Sequence, residues 1–97
     1  MMILKALSRG PLHGYAVARW LEQATDDALR VEEGSLYPAL YRMEQRGWLS
    51  AEWRMTERNR KAKFYKLTRL GRKQLDAESA SWERTSALVS MVMQTAE

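Results

Sequence analysis

Gly34-Ser35-Leu36-Tyr37-Pro38-Ala39-Leu40-Tyr41-Arg42-Met43-Glu44-Gln45-Arg46-Gly47-Trp48-Leu49 reads as a helix with two unlike faces. Leu36, Leu40 and Met43 stand at i, i+4 and i+7, the spacing of one apolar stripe. Ser35, Pro38, Tyr41, Arg42 and Gln45 fall on the opposite side, with Tyr37 at the border. Ser35 is a favoured N-cap type and predicts a start at Gly34-Ser35. Pro38 is then the third helical residue, in the first turn, where its missing N–H costs nothing. The helix is expected to run to about Arg46, with Gly47 as a left-handed terminator.

Downstream the period changes. Leu49, Ala51, Trp53 and Met55 alternate with Ser50, Glu52, Arg54 and Thr56, the pattern of a half-buried strand. Residues 57–62 form a charged loop in which Asn59 is the residue suited to positive φ. A second strand, Lys63 to Leu67, places Tyr65 and Leu67 on one face. Thr68 is the expected N-cap of a final helix reaching about Ala96, roughly 40 Å long at 1.5 Å per residue. Gly71 in its first turn permits close packing. Leu75, Trp82, Val89 and Ala96 recur every seven residues with Met93 beside them, a spacing that suggests a partner helix. Ser79 and Ser86 dilute the seam, and Met91 with Met93 suits a pliable interface.

Upstream, residues 2–8 form a short apolar helical piece closed by Arg9-Gly10-Pro11. The chain begins almost inside this element, so the first helix reads as abbreviated. Leu12 to Thr25 follows as an amphipathic helix with Val17, Trp20, Leu21 and Ala24 in one stripe. His13-Gly14-Tyr15 opens it, and His13 is expected to cap or pack there. Residues 26–33 are a polar connector with a brief apolar centre from Leu29 to Val31. Trp20, Trp48 and Trp53 read as core or lid residues, and Glu44 as a member of a structural pair.

Composition narrows the function. The chain has 97 residues, 16 Lys+Arg, 12 Asp+Glu, one His and no Cys. Nine bases and one acid, Glu57, lie between Arg54 and Lys73, so that segment carries +8 while the remainder carries −4. Confined basicity of this kind fits either a surface for a polyanion or a solvated hairpin and helix face, and the neighbouring elements decide between them. Disulfides, thiolate chemistry and zinc-finger ligation are excluded by the lack of cysteine. No nucleophile–base pair is visible, and the doublets Asp26-Asp27 and Glu32-Glu33 sit in the connector region, so neither catalysis nor a metal or cofactor is expected. Gly34, Gly47 and Gly71 match no phosphate-binding fingerprint. No run approaches the ~20 apolar residues that span a bilayer and no signal peptide opens the chain, so a cytoplasmic location without membrane contact is expected.

Three short helices, a hairpin with a basic tip and a long helix make the fold class mainly α with a small β-hairpin. The expected architecture is a winged helix-turn-helix domain over residues 1–67 plus a C-terminal dimerisation helix over residues 68–97. The third helix would offer Ser35, Tyr37, Tyr41, Arg42 and Gln45 to base edges. The wing would bring Arg58, Arg60, Lys61 and Lys63 to phosphates of double-stranded DNA. The rival from another class is a winged helix that docks an acidic protein partner.

The string from Gly34 to Leu49 resembles the recognition helix of the PadR family of bacterial transcriptional regulators. His13-Gly14-Tyr15 is similar to the opening of that family's second helix, and Lys61-Ala62-Lys63-Phe64-Tyr65-Lys66-Leu67-Thr68 with Gly71 to its wing strand. The resemblance covers residues 3–75, and the single long helix is similar to the short-tailed branch. It implies a homodimeric repressor on a near-palindromic operator. Ser35, Tyr37 and Pro38 would meet DNA, Arg42 would lie near phosphates, and the wing would reach a minor groove. The last helix would pack across the dimer through Trp82, Val89 and Met93. Trp82 looks like the tryptophan that, in multidrug-sensing relatives, lines an interface pocket for a small aromatic effector. Two features depart from the family: the wing has no glycine, which puts the tightness of its tip in question, and the first helix is short.

Overall fold

The computed structural model describes residues 1–95. Its elements are α1 (Met2–Ala6), β1 (Leu12–His13), α2 (Gly14–Ala24), α3 (Glu33–Gln45), β2 (Leu49–Met55), β3 (Lys61–Leu67) and α4 (Arg69–Gln94). The three strands form one antiparallel sheet in the order β1-β3-β2. The sequence reading lacks β1. Leu12 and His13 do not begin the helix but pair with Tyr65 and Phe64, and His13 then caps α2, its Nδ1 accepting from the Ala16 N–H at 3.1 Å. His13 also packs edge-on against Phe64, with ring centroids 5.2 Å apart.

Helix α3 starts earlier than Ser35 predicts. Glu32 is the N-cap residue in an extended conformation, and its carbonyl accepts from the N–H groups of Ser35 and Leu36 at 3.1 and 3.0 Å. Two carboxylates, Glu32 and Glu33, thus sit at the positive end of the helix dipole, which favours this start over a hydroxyl cap. Pro38 becomes the sixth helical residue, and the carbonyl of solvent-exposed Gly34 has no backbone donor from it. At the other end the expected terminator holds. Gly47 takes φ 79°, its N–H donates to the Glu44 carbonyl at 3.0 Å, and the Trp48 N–H donates to the Met43 carbonyl at 3.0 Å. That pair of bonds is a Schellman motif, which turns the chain into β2.

The β2–β3 tip is tight without glycine. Asn59 takes φ 62°, its N–H donates to the Thr56 carbonyl at 2.9 Å, and the Thr56 N–H donates to the Arg60 carbonyl at 2.7 Å. Glu57, Arg58 and Asn59 therefore make a three-residue loop, a geometry that needs one left-handed residue and finds it in asparagine. β3 begins at Lys61, two residues before the expected start, because the tight loop lets Lys61 pair with Met55.

The core is Leu4, Ala6, Leu7, Val17, Ala18, Leu21, Leu36, Leu40, Leu49, Tyr65 and Leu75, with no buried polar or charged residue among those described. Leu29, Val31, Met43, Trp20 and Trp48 pack against it as partly buried residues. Trp53 does not. It is 64% exposed because β2 has already left the body of the domain at that point, which corrects its reading as a core or lid residue.

Thr68 caps α4 as expected, its Oγ1 accepting from the Gly71 N–H at 3.0 Å. The same hydroxyl lies 2.6 Å from the Gly47 carbonyl and 3.0 Å from that of Trp48. One side chain thus ties the root of α4 to the end of α3. Only Gly71 and Leu75 of α4 are buried, and its 26 residues run about 39 Å. The molecule is accordingly elongated, 59 × 29 × 22 Å, with a radius of gyration of 16.0 Å. A compact chain of this length would have about 12.5 Å. Ala96, the last member of the seven-residue series, lies outside the described residues.

Candidate nucleic-acid interface

Burying Leu36 and Leu40 fixes which side of α3 faces outward. Ser35, Tyr37, Pro38, Tyr41, Arg42 and Gln45 are all exposed on it. Arg42 has no ion pair among the described residues, so its charge is available. Tyr37 is 42% exposed and positioned by an unexpected neighbour, Gly14. A Cβ on Gly14 would lie 2.5 Å from Tyr37 Cε1 and 2.9 Å from its hydroxyl oxygen, so the glycine leaves the space in which the ring rests. Burial of the ring, then the nearby Glu33 and Tyr65, raises the Tyr37 pKa above the ordinary tyrosine value. The phenol therefore stays protonated near neutrality and keeps an O–H donor for a phosphate or a base edge.

The hairpin is joined to α3 by an ion pair. Lys63 Nζ lies 3.1 Å from Glu44 Oε1, both side chains being about one-third exposed. The hydrogen bond that Lys63 donates to Glu44 raises the Lys63 pKa more than partial burial lowers it. This is the structural pair expected of Glu44. Its partner is one of the four cations assigned to the wing, so Lys63 is held against α3 while Arg58, Arg60 and Lys61 remain exposed and without ion pairs among the described residues. Arg54 is engaged too, donating from Nε to Glu52 Oε1 at 2.6 Å and lying over the Phe64 ring. Arg72 donates to the Ser8 carbonyl at 2.9 Å and joins α4 to α1. The +8 segment thus contains cations that hold the fold (Arg54, Lys63, Arg72), a free group at the wing tip, and exposed Lys66, Arg69 and Lys73 nearer the root of α4.

Gly14 escapes sequence reasoning because its partner is 23 residues away; the one available signal is a glycine at a helix start whose cap is already supplied by His13. Trp82, Val89 and Met93 lie far along α4, exposed by 58%, 54% and 77%, and the fold of one chain does not bring them to the α3–wing surface. Leu88, Met91 and Val92 expose a second apolar strip beside them. At the root of α4, an apolar groove of about 290 Å³ is lined by Met2, Trp20, Leu21, Ala24 and Leu75. Among the described residues no helix is long and apolar enough to cross a membrane, and no three His, Asp or Glu side chains cluster as metal ligands would.

Helix α3 presented beside a cationic hairpin, on a three-helix body, defines a winged helix-turn-helix of the DNA-binding kind. The chain belongs to the PadR-like family of transcriptional regulators, whose profile matches residues 3–77. It is 39% identical over 89 residues to an uncharacterized 37.1 kDa protein in transposon TN4556 of Streptomyces fradiae; the match takes in 92% of this chain but spans about a quarter (24%) of that relative. Among solved structures it is similar to a PadR-like transcriptional regulator from Bacillus cereus. The TM-score is 0.83 and the identity 29%, covering 97% of this chain and 89% of that one. A transcriptional regulator from Clostridium thermocellum gives a TM-score of 0.84 at 26% identity, covering 93% and 87% of the two chains.

Proposed function

We propose that this protein is a cytoplasmic homodimeric repressor that binds a near-palindromic DNA operator. In this reading residues 1–67 form the DNA-binding domain and residues 68–97 the dimerisation helix. The observation that carries it is the locked α3–wing unit: Lys63–Glu44 fixes the hairpin beside α3, leaving Arg58, Arg60 and Lys61 free at the tip. Ser35, Tyr37, Pro38 and Tyr41 at the outer face of α3 enter the major groove. Arg42 takes a flanking phosphate, and the wing cations neutralise phosphates at the adjacent minor groove.

A second copy completes α4. Trp82, Val89 and Met93 share one face, while Leu88, Met91 and Val92 make the end of the helix apolar on the other side as well. A helix apolar on two sides belongs in a buried setting, which the chain alone does not supply. Pairing with a second α4, and seating of its end in the partner's α1–α2 groove, covers both strips. Two-fold symmetry then sets two recognition helices on two half-sites. A flat aromatic effector stacking on Trp82 between the copies acts by favouring one spacing of the two α3 helices over the other.

The test is fluorescence anisotropy with the protein's own promoter DNA and an unrelated duplex at two salt concentrations. Tighter binding to the promoter, falling steeply with salt for both duplexes, is expected. Equal binding to both removes the operator-specific reading, and binding to neither favours the acidic-partner module.

A further inference from the structure

Trp53 is the one large aromatic of the hairpin that the fold does not use. It is 64% exposed in the middle of β2 and has no stacked ring and no cation over it among the described residues. Its surroundings are defined by register. Trp53 is opposite Lys63 and Met55 is opposite Lys61, and opposed residues of an antiparallel pair share a face. Lys63 reaches Glu44, so this face of the hairpin is turned toward α3. Leu49 and Ala51 on the same face are buried and half-buried, and Trp53 is the first residue beyond the edge of the core. The indole therefore stands on the face of the hairpin that turns toward α3, opposite Lys63 and diagonal to Lys61. The other face disposes of its aromatic, with Phe64 packed by His13 and Arg54.

We propose that Trp53 is itself a DNA contact, laying its indole against the deoxyribose of the strand that passes between α3 and the wing. The neighbouring charges favour this occupant. The free Lys61 attracts a polyanion, and a sugar–phosphate strand offers an apolar sugar face between its charges, which matches a flat ring beside a free ammonium group. The proposal rests on the DNA-binding reading and adds a nonionic anchor to it.

Binding of promoter and unrelated duplexes is to be measured for the wild type, Trp53→Ala and Trp53→Phe, together with thermal unfolding and sedimentation. Trp53→Ala is expected to bind both duplexes about tenfold more weakly, the factor equivalent to one aromatic contact. Its salt dependence should match the wild type because no charge is lost, and its melting temperature should be unchanged because the ring is not in the core. Trp53→Phe should recover most of the affinity, and tryptophan emission that DNA quenches in the wild type should respond less in both variants. Wild-type affinity in Trp53→Ala overturns the contact and leaves the DNA reading standing. Loss of affinity that follows a loss of dimer, or a lower melting temperature in both variants, overturns it in favour of a packing role. A wild type that binds neither duplex removes the DNA reading and the contact together.

Discussion

Lys63 Nζ and Glu44 Oε1, 19 residues apart in the chain and 3.1 Å apart in space, join strand β3 of the wing to the last turn of α3. A lysine occupied in this way is expected to add less to phosphate binding than the nearby Lys61, which is free. Lys61→Met should therefore lower the slope of log affinity against log salt by about one, and Lys63→Met should leave it nearly unchanged. Salt titrations of the two variants against the wild type check this.

The same pair gives a pH dependence. The Lys63 pKa is raised by Glu44, so its contribution to stability is fully present below the unfolded lysine value of about 10.4 and is lost as pH rises through the higher folded value. For a partly exposed pair that contribution is at most about 1 kcal/mol. Urea midpoints of wild type and Glu44→Gln should differ slightly at neutral pH and converge in strongly alkaline buffer.

Gly14→Ala tests the seat of Tyr37. The added methyl meets the outer edge of a ring that can swing away, so stability should stay within about 1 kcal/mol of wild type. Specific DNA affinity should nevertheless fall, because the phenol loses its position. Retention of wild-type operator affinity by a stable Gly14→Ala would show that the ring's placement does not matter for binding.

Gly71→Ala is the contrasting case. Its Cβ would overlap the Trp48 carbonyl, a backbone atom held by Thr68 and unable to turn aside. The gain in helix propensity is about 1 kcal/mol. Overpacking against rigid backbone should exceed it, giving a net loss of about 1–3 kcal/mol in urea denaturation.

These two glycines show what the sequence makes legible. Gly47, Asn59 and Thr68 were readable because each answers a local demand: a helix terminator, a left-handed loop residue and an N-cap. The long α4 and the core stripe of Leu36, Leu40 and Met43 follow from periodicity alone. Ser35 does not cap α3 because two glutamates compete for the same helix end, and helix-start rules rank the hydroxyl without weighing the dipole. Alternation puts Trp53 on the inward face of β2 but does not tell where the body of the domain stops. Gly14 beneath Tyr37 and Lys63 against Glu44 are long-range pairings, invisible until the elements are packed.

In the proposed repressor α3 reads sequence and the wing tip supplies charge. The most direct test of that division is the ratio of promoter to unrelated-duplex affinity at fixed salt, measured for the wild type, Tyr37→Ala and the double variant Arg60→Glu/Lys61→Glu. The charge-reversed wing should weaken both duplexes alike and leave the ratio unchanged, while Tyr37→Ala should lower the ratio itself. An equal effect of the two variants on that ratio would show that α3 and the wing tip do not divide these roles.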